Sequence, residues 1–182
     1  MDFGQQIDKA RNLITFLIEM GAWRAKLIKT RDIIVDERVR FQCAHSGCRD
    51  YGKLMCPPNT PAVDEFRKVL GRYTFGIILQ VKGEIKGEDW QKESDMYALK
   101  LHDLVYRGEK QAFALGFPFA AGLIGGSCKL CSECGEKCSN RSRARPSLEA
   151  VGIDVIGTCK NADMPVSFEK GRVIWTGLIL LD

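Results

Sequence analysis

Apolar residues recur at the spacing of an amphipathic helix in two segments of the chain. The first segment, residues 7–18, is followed by Gly21, and the second runs from about residue 88 to residue 115. Gly116 and Pro118 come after the second segment, and both residue types commonly end helices. The pattern predicts two helices, the second of which has an apolar stripe formed by Tyr97, Leu101, Leu104, Gly108, Ala112 and Leu115.

Runs of branched and aromatic residues predict the β-strands of the fold. We expect residues 27–35 to be extended as one or two short strands, and residues 73–81 and 119–124 to form one strand each. Residues 166–168 and 173–181 are predicted to pair as a hairpin, because Glu169-Lys170-Gly171 between them is typical of a turn.

Two shorter helices complete the predicted elements. Thr60 followed by Pro61 is typical of a helix start and predicts a helix to about Leu70. A further short helix is expected over residues 147–151, closed by Gly152. Strands and helices are interspersed along the chain, so we predict an α/β (α+β) fold in which helices pack on a mixed β-sheet.

Length and composition are those of a globular domain. The chain has 182 residues, of which 45% are apolar, and this excludes a disordered tail or a disulfide-dependent miniprotein. Lys and Arg number 27 against 23 Asp and Glu, and the net charge of +4 is too small to indicate a nucleic-acid or membrane partner.

Charged residues interrupt the apolar N-terminal stretch, which therefore lacks the hydrophobic region of a secretory signal. No run approaches the roughly 18 apolar residues of a membrane-spanning helix. We expect a cytoplasmic protein without a membrane partner. Stable disulfides are rare in that reducing compartment, so the eight cysteines indicate metal ligands.

Seven of the cysteines form two groups in segments that are poor in bulky aliphatic residues. The first group is Cys43, Cys48 and Cys56, and the second is Cys128, Cys131, Cys134 and Cys138. We predict one α/β metal-binding domain over residues 1–182, with cysteine-rich loops at about residues 43–58 and 125–146.

The spacing of the second group is the most informative feature of the sequence. Two intervals of two residues followed by one of three are typical of bacterial ferredoxins, in which such a run binds [4Fe-4S] clusters. Structural zinc sites usually have two separated pairs of ligands, so zinc is the less favoured alternative. Ser139 stands where the ferredoxin run has proline, and only the cluster chemistry carries over, not the ferredoxin fold.

The number of clusters follows from the number of thiolates. Seven grouped cysteines are one short of two complete sets of four, and only Cys159 remains to make eight. Two [4Fe-4S] clusters would then have Cys138 and Cys159 as exchanged or local fourth ligands. Cys159 has a second interpretation as a buried core thiol, since it follows the apolar pair Val155-Ile156.

The cysteine groups and the residues around them resemble the DUF2284 family of predicted metal-binding proteins. The resemblance spans about residue 27 to the C-terminus and implies a metal or iron-sulfur protein without a known substrate. It implies the seven grouped cysteines as ligands and does not extend to Cys159. The matching motifs are Cys43 to Cys48, Tyr51-Gly52-Lys53, Cys56-Pro57-Pro58-Asn59-Thr60-Pro61, Gly125-Gly126-Ser127-Cys128 with the three following cysteines, Arg145-Pro146-Ser147-Leu148-Glu149-Ala150 and Gly152-Ile153-Asp154-Val155.

Glycines and arginines beside the cysteines have candidate roles of their own. Gly125 and Gly126 are candidate cofactor-binding residues, because backbone without side chains lets amides approach cluster sulfide. Arg141, Arg143 and Arg145 follow Cys138 and are either a docking site for an acidic redox partner or a solvated face. A nucleic-acid contact is disfavoured, since no aromatic residues alternate with these arginines.

The remaining polar candidates have simpler interpretations. His45 is expected to donate a hydrogen bond to sulfur or to face solvent, because a Rieske-type centre needs two histidines. His102, in the long helix, is interpreted as a structural residue. Glu149 follows Pro146-Ser147 and is expected to favour a helix N-terminus.

No phosphate loop, nucleophile elbow, His-Glu-x2-His helix or radical S-adenosylmethionine loop occurs, and no catalytic residue is assigned. The leading hypothesis is electron transfer through one or two [4Fe-4S] clusters, with a redox partner protein. The second is an iron-sulfur enzyme or maturation factor whose open iron site binds a small-molecule substrate. The third is a zinc-stabilised interaction protein.

Overall fold

The computed structural model describes residues 3–182. Within that range the chain forms five α-helices, four β-strands and two short 3₁₀ turns at Thr30–Asp32 and Glu149–Val151. The helices are α1 (Phe3–Glu19), α2 (Glu37–His45), α3 (Val63–Leu70), α4 (Trp90–Ala114) and α5 (Val155–Asn161). The strands are β1 (Arg24–Lys29), β2 (Phe75–Glu84), β3 (Ala121–Leu123) and β4 (Arg172–Leu181). The predicted α+β class is confirmed.

The four strands form one sheet in the order β1-β2-β4-β3, in which every neighbouring pair is antiparallel. The sheet is therefore antiparallel rather than mixed. β2 and β4 pair along their full length, from Phe75 opposite Leu181 to Glu84 opposite Arg172. The predicted C-terminal hairpin is wrong, because β4 pairs with β2 and β3 while residues 166–168 belong to no strand.

Both faces of the sheet are covered, which explains why β2 and β4 have nearly continuous apolar sequences. Alternate residues of a strand point to opposite faces. Phe75 and Ile77 of β2 pack with α1 and α4 on one face. Ile78 packs on the other face with Phe66 of α3 and Cys159 of α5.

The two helices predicted from periodicity are confirmed. α1 is followed by Gly21 at φ +99°, and α4 by Gly116 at φ +95°, a backbone region that favours glycine. Asp89 caps α4, since its carboxylate accepts a hydrogen bond from the Lys92 amide at 3.0 Å. Among residues 3–182, no helix, α4 included, combines the length and apolar character needed to cross a membrane.

α3 begins two residues after the predicted start at Pro61. Its N-terminus is closed by Glu65, whose carboxylate accepts from the Ala62 amide at 2.9 Å. Thr60 does not cap the helix but donates its hydroxyl to the Ala150 carbonyl at 3.1 Å. This bond ties the first cysteine loop to the 3₁₀ turn at Glu149–Val151.

The apolar pattern predicts neither α2 nor α5. α2 has no buried residue and therefore no apolar face, and it begins where Asp36 accepts from the Arg38 amide at 2.8 Å. α5 has seven residues and begins where Asp154 accepts from the Gly157 amide at 3.0 Å. Cys43 lies on α2 and Cys159 on α5, so two of the eight cysteines lie on helices rather than in loops.

The shorter strands differ from their predicted lengths. β1 ends at Lys29, and after the 3₁₀ turn Val35 forms only an isolated bridge with Ile153. β3 is limited to three residues, and Ile124 after it forms an isolated bridge with Ser147. These two bridges bring the backbone before each cysteine group to residues 147–153, a segment that contributes Leu148, Val151 and Ile153 to the core.

We predict that replacing Ile179 of β4 with Ala destabilises the fold by about 2–5 kcal/mol, because the side chain is fully buried against α1 and α4. Chemical denaturation followed by circular dichroism measures the loss. The matched control is Ile156→Ala on α5, where the side chain is 58% exposed and a change of about 0.5 kcal/mol or less is expected. Equal losses in the two variants would contradict the assigned core.

Candidate metal centre

The two cysteine-bearing loops contact each other. Ser127, next to Cys128, donates its hydroxyl to Asp50 at 2.7 Å, and Lys53 forms an ion pair with the same carboxylate. All eight cysteines are free thiols. The seven grouped cysteines line two adjoining cavities, and Cys56 lines both of them.

The second cysteine group surrounds the smaller cavity. Its thiols belong to Cys128, Cys131, Cys134 and Cys138. We call residues 128–138 the four-cysteine loop. This loop has no helix or strand, as the sequence predicts. Cys131 and Cys134 are exposed, whereas Cys128 and Cys138 are partly buried. The four thiols therefore surround one cavity that extends from the protein surface to partly buried positions.

Hydrogen-bond donors are directed at the sulfurs of the four-cysteine loop. The Asn140 amide donates to Cys131 Sγ at 3.0 Å, and the Ser139 hydroxyl lies 3.5 Å from the same sulfur. The Leu130 amide bonds Cys128. Burial, followed by the neighbouring thiols, raises the pKa of Cys128, while the Leu130 amide opposes that shift. Donors of this kind stabilise thiolate ligands, and Ser139 supplies one that the proline of the ferredoxin run would not.

The first cysteine group lines the larger cavity, of about 380 Å³, which we call the three-cysteine cavity. Cys43 reaches it from α2, and Cys48 and Cys56 from the following loop. Burial raises the pKa of Cys56 to about 12, with further contributions from Asp50, Cys48 and Cys43. Burial also raises the pKa of Cys43. A metal bound here must therefore displace thiol protons.

Aromatic and polar side chains form the other walls of the three-cysteine cavity. Trp175 of β4 is held by its indole N–H, which donates to the Ser94 carbonyl of α4 at 3.0 Å. The Ser94 hydroxyl is buried, lines the cavity and has no hydrogen-bond partner within residues 3–182. The Lys129 ammonium lies 5.7 Å from the centre of the Trp175 ring. The sequence offers no signal for Trp175 or Ser94, since both lie inside regular elements.

Cys159 is not brought together with the other seven cysteines. It is fully buried between α5 and the sheet, where its thiol lies 3.8 Å from the Gln80 amide and 3.7 Å from the Thr176 hydroxyl. It lines neither of the two cysteine cavities. The geometry thus corresponds to the interpretation of Cys159 as a core thiol. Seven cysteines remain near the two cavities, one fewer than two complete sets of four ligands.

Gly125 and Gly126 lie against β4. A Cβ atom on Gly125 would meet the Thr176 carbonyl at 2.7 Å, and one on Gly126 would meet the Trp175 ring at 2.6 Å. Gly126 lines the three-cysteine cavity, and its amide donates to the Glu149 carboxylate at 3.2 Å. Close packing therefore requires both glycines, and cofactor binding stays a prediction for Gly125 and Gly126.

Two arginines of the cationic run are engaged within the protein. Arg143 pairs with Asp103 at 3.2 Å, and Arg145 pairs with Glu109 at 2.5 Å. Both guanidinium groups also lie within 6 Å of the Tyr106 ring centre. These contacts fasten the segment after Cys138 to α4, and a role of this segment in docking a partner stays a prediction.

The histidines lie outside both cavities. His102 is buried in α4, and its Nε2 donates to the Arg143 carbonyl at 2.8 Å, which adds a third tie between α4 and the loop. Burial lowers the pKa of His102, and the charges of Arg145 and Arg143 act in the same direction. His45 is exposed and stacks on Phe41 with ring centroids 5.2 Å apart.

Glu149 lies in the first turn of the 3₁₀ helix Glu149–Val151, as the sequence predicts, and it also lines a cavity. Its carboxylate accepts from Gly126 and lines the three-cysteine cavity together with Cys43, Cys48 and Cys56. Burial raises the pKa of Glu149. The grouped cysteines share cavities, but within residues 3–182 no three or more His, Cys, Asp or Glu side chains lie close enough together to hold a single metal ion between them.

We predict that the stability of the protein decreases as the pH falls below about 6.5, because His102 is held neutral in the folded state. The unfolded chain takes up the proton first, so its free energy falls relative to that of the folded chain. Urea unfolding at a series of pH values measures the slope. His102→Gln, which keeps a donor for the Arg143 carbonyl, should flatten it, whereas the exposed control His45→Gln should not. An unchanged slope in His102→Gln would refute the assignment.

Comparison with known proteins identifies a family. The family model described as "Predicted metal-binding protein (DUF2284)" matches residues 26–181, a range that contains all eight cysteines. No curated protein and no solved structure matches the chain. Because the match covers most of the sequence, the chain belongs to the DUF2284 family of predicted metal-binding proteins.

Proposed function

We propose that this protein is an iron-sulfur protein that transfers single electrons, with a [4Fe-4S] cluster held by the four-cysteine loop. The observation that carries the proposal is that Cys128, Cys131, Cys134 and Cys138 line one cavity, with N–H donors directed at the sulfurs of Cys128 and Cys131. Their 2-2-3 spacing is that of ferredoxin cluster loops. Membership of a family of predicted metal-binding proteins supports metal binding, and the donor set supports iron and sulfide.

When bound, such a cluster takes up and releases one electron. The protein residues adjust how readily this happens. Asn140 and the Leu130 amide place positive hydrogen-bond dipoles at the sulfurs, which favours the more negative, reduced state. Exposure of Cys131 and Cys134 leaves one side of the loop accessible to a redox partner protein.

A second candidate function is an enzyme or maturation factor that binds a small-molecule substrate in the three-cysteine cavity. Its volume, about 380 Å³, lies in the range of about 300–1,000 Å³ found for ligand pockets. The unpartnered Ser94 hydroxyl favours a ligand there, since buried polar groups usually have a partner. Both functions are compatible with free thiols in a reducing, cytoplasmic compartment.

Anaerobic purification, followed by iron and acid-labile sulfide analysis, tests the proposal. We expect brown protein whose visible absorbance is bleached by dithionite, with about four iron atoms per occupied cluster. Cys134→Ser should lose the cluster of the four-cysteine loop. Colourless protein with stoichiometric zinc would refute the proposal and support a zinc-stabilised interaction protein.

The matched control for Cys134→Ser is Cys159→Ser. Because Cys159 lies in the core beside Gln80 and Thr176, a serine hydroxyl finds polar partners there and the fold is expected to tolerate it. Iron and sulfide per chain should equal those of the wild type. A loss of iron in Cys159→Ser, in protein with unchanged circular dichroism, would contradict the assignment of Cys159 as a core thiol and show that it is a metal ligand.

A further inference from the structure

The three-cysteine cavity supplies three thiolates, one fewer than a complete ligand set for a [4Fe-4S] cluster. Cys138 lies with the four-cysteine loop, and Cys159 lies in the core. A fourth protein ligand must therefore carry oxygen or nitrogen and must line the same cavity as Cys43, Cys48 and Cys56.

Asp50 and Glu149 are the two carboxylates on the walls of this cavity. Asp50 is fully engaged, because one oxygen pairs with Lys53 at 2.5 Å and the other accepts from Ser127 at 2.7 Å. These bonds hold the two cysteine loops together. A role for Asp50 as a ligand would break that junction.

Glu149 has no such engagement. It forms no ion pair within residues 3–182, and its partners are neutral donors: the Gly126 amide at 3.2 and 3.4 Å, its own amide and the Ser147 hydroxyl. Lys129 interacts electrostatically with it, but that ammonium is bonded to Ser127 and paired with Asp95. Glu149 is half-buried and has no ion-pair partner in the described part of the chain, so an iron ion bound at its carboxylate would supply the opposite charge that the surrounding residues do not.

The fold brings Glu149 to the thiols from the opposite side. α2, which carries Cys43, packs on the 3₁₀ turn that carries Glu149, and the two side chains are close enough to interact electrostatically. The Thr60 bond to Ala150 fixes that turn to the end of the first cysteine loop. Three thiols and one carboxylate thus face a single space.

We propose that Glu149 is the fourth ligand of a second iron-sulfur cluster, bound by the thiolates of Cys43, Cys48 and Cys56. The proposal rests on the function proposed above. A carboxylate is a harder and weaker ligand for this iron than a thiolate, so the iron at Glu149 is the exchangeable one. The free Ser94 hydroxyl lines the same cavity, where an incoming ligand would replace the carboxylate.

Three variants test the assignment by iron and sulfide content and by electron paramagnetic resonance. Glu149→Gln keeps the size of the side chain but removes its charge, and should lower the iron content by about one atom per chain, leaving a three-iron cluster with its paramagnetic oxidised signal. Glu149→Cys supplies a fourth thiolate and should restore the iron content. The control Glu136→Gln changes an exposed glutamate in the four-cysteine loop and should match the wild type.

Mild oxidation with ferricyanide separates the variants further. A [4Fe-4S]2+ cluster that loses one Fe2+ and gives one electron to ferricyanide leaves [3Fe-4S]+. We expect this conversion in the wild type at the second cluster and strong resistance to it in Glu149→Cys.

The outcomes distinguish this inference from the proposed function. If Glu149→Gln and Glu149→Cys match the wild type in iron content and resonance signal, the Glu149 ligand is refuted while the iron-sulfur function stands. A wild type with a single cluster in the four-cysteine loop refutes it in the same way. A wild type without iron or sulfide refutes both.

Discussion

The hydrogen bond between Ser127 and Asp50 is the contact on which the geometry of both cysteine groups depends. It joins the loop after β3 to the loop after α2, two segments separated by 77 positions in the chain. Lys53 on the same carboxylate and Cys56 between the two cavities extend this junction. Loops without regular structure have few internal constraints, so their relative position is set by such cross-links and by the elements beneath them.

Those elements were largely predictable where burial is periodic. α1, α4 and β2 follow from apolar spacing because each has a face or a full length inside the core. α2 has no buried residue and begins through an Asp36 cap, so apolar spacing carries no information about it. The strand order was not predictable, since the partner of β4 is chosen by packing between residues far apart in sequence.

The candidate site divides in the same way between local and tertiary information. Cysteine spacing predicts the four-cysteine loop, because three short intervals bring thiols to one space whatever surrounds them. The residues that surround this loop are known only from the structure. Arg143 and Arg145 form ion pairs with α4, and His102 of α4 donates to the Arg143 carbonyl. The sequence shows these arginines only as a cationic run beside Cys138. Cys159 was ambiguous for the same reason, since burial is a property of the packed structure.

The two cysteine groups have environments that suit different tasks. The four-cysteine loop has exposed thiols and amide donors, which favour exchange of electrons at the surface. The three-cysteine cavity has a buried thiol, an indole wall, a carboxylate without a counter-ion and an unpartnered hydroxyl, which favour binding of a ligand. Cys56 lines both spaces, so the two cavities adjoin at this residue. Under the proposed function, electrons that enter at the surface would therefore be used at the cavity, and the two leading hypotheses describe two parts of one protein.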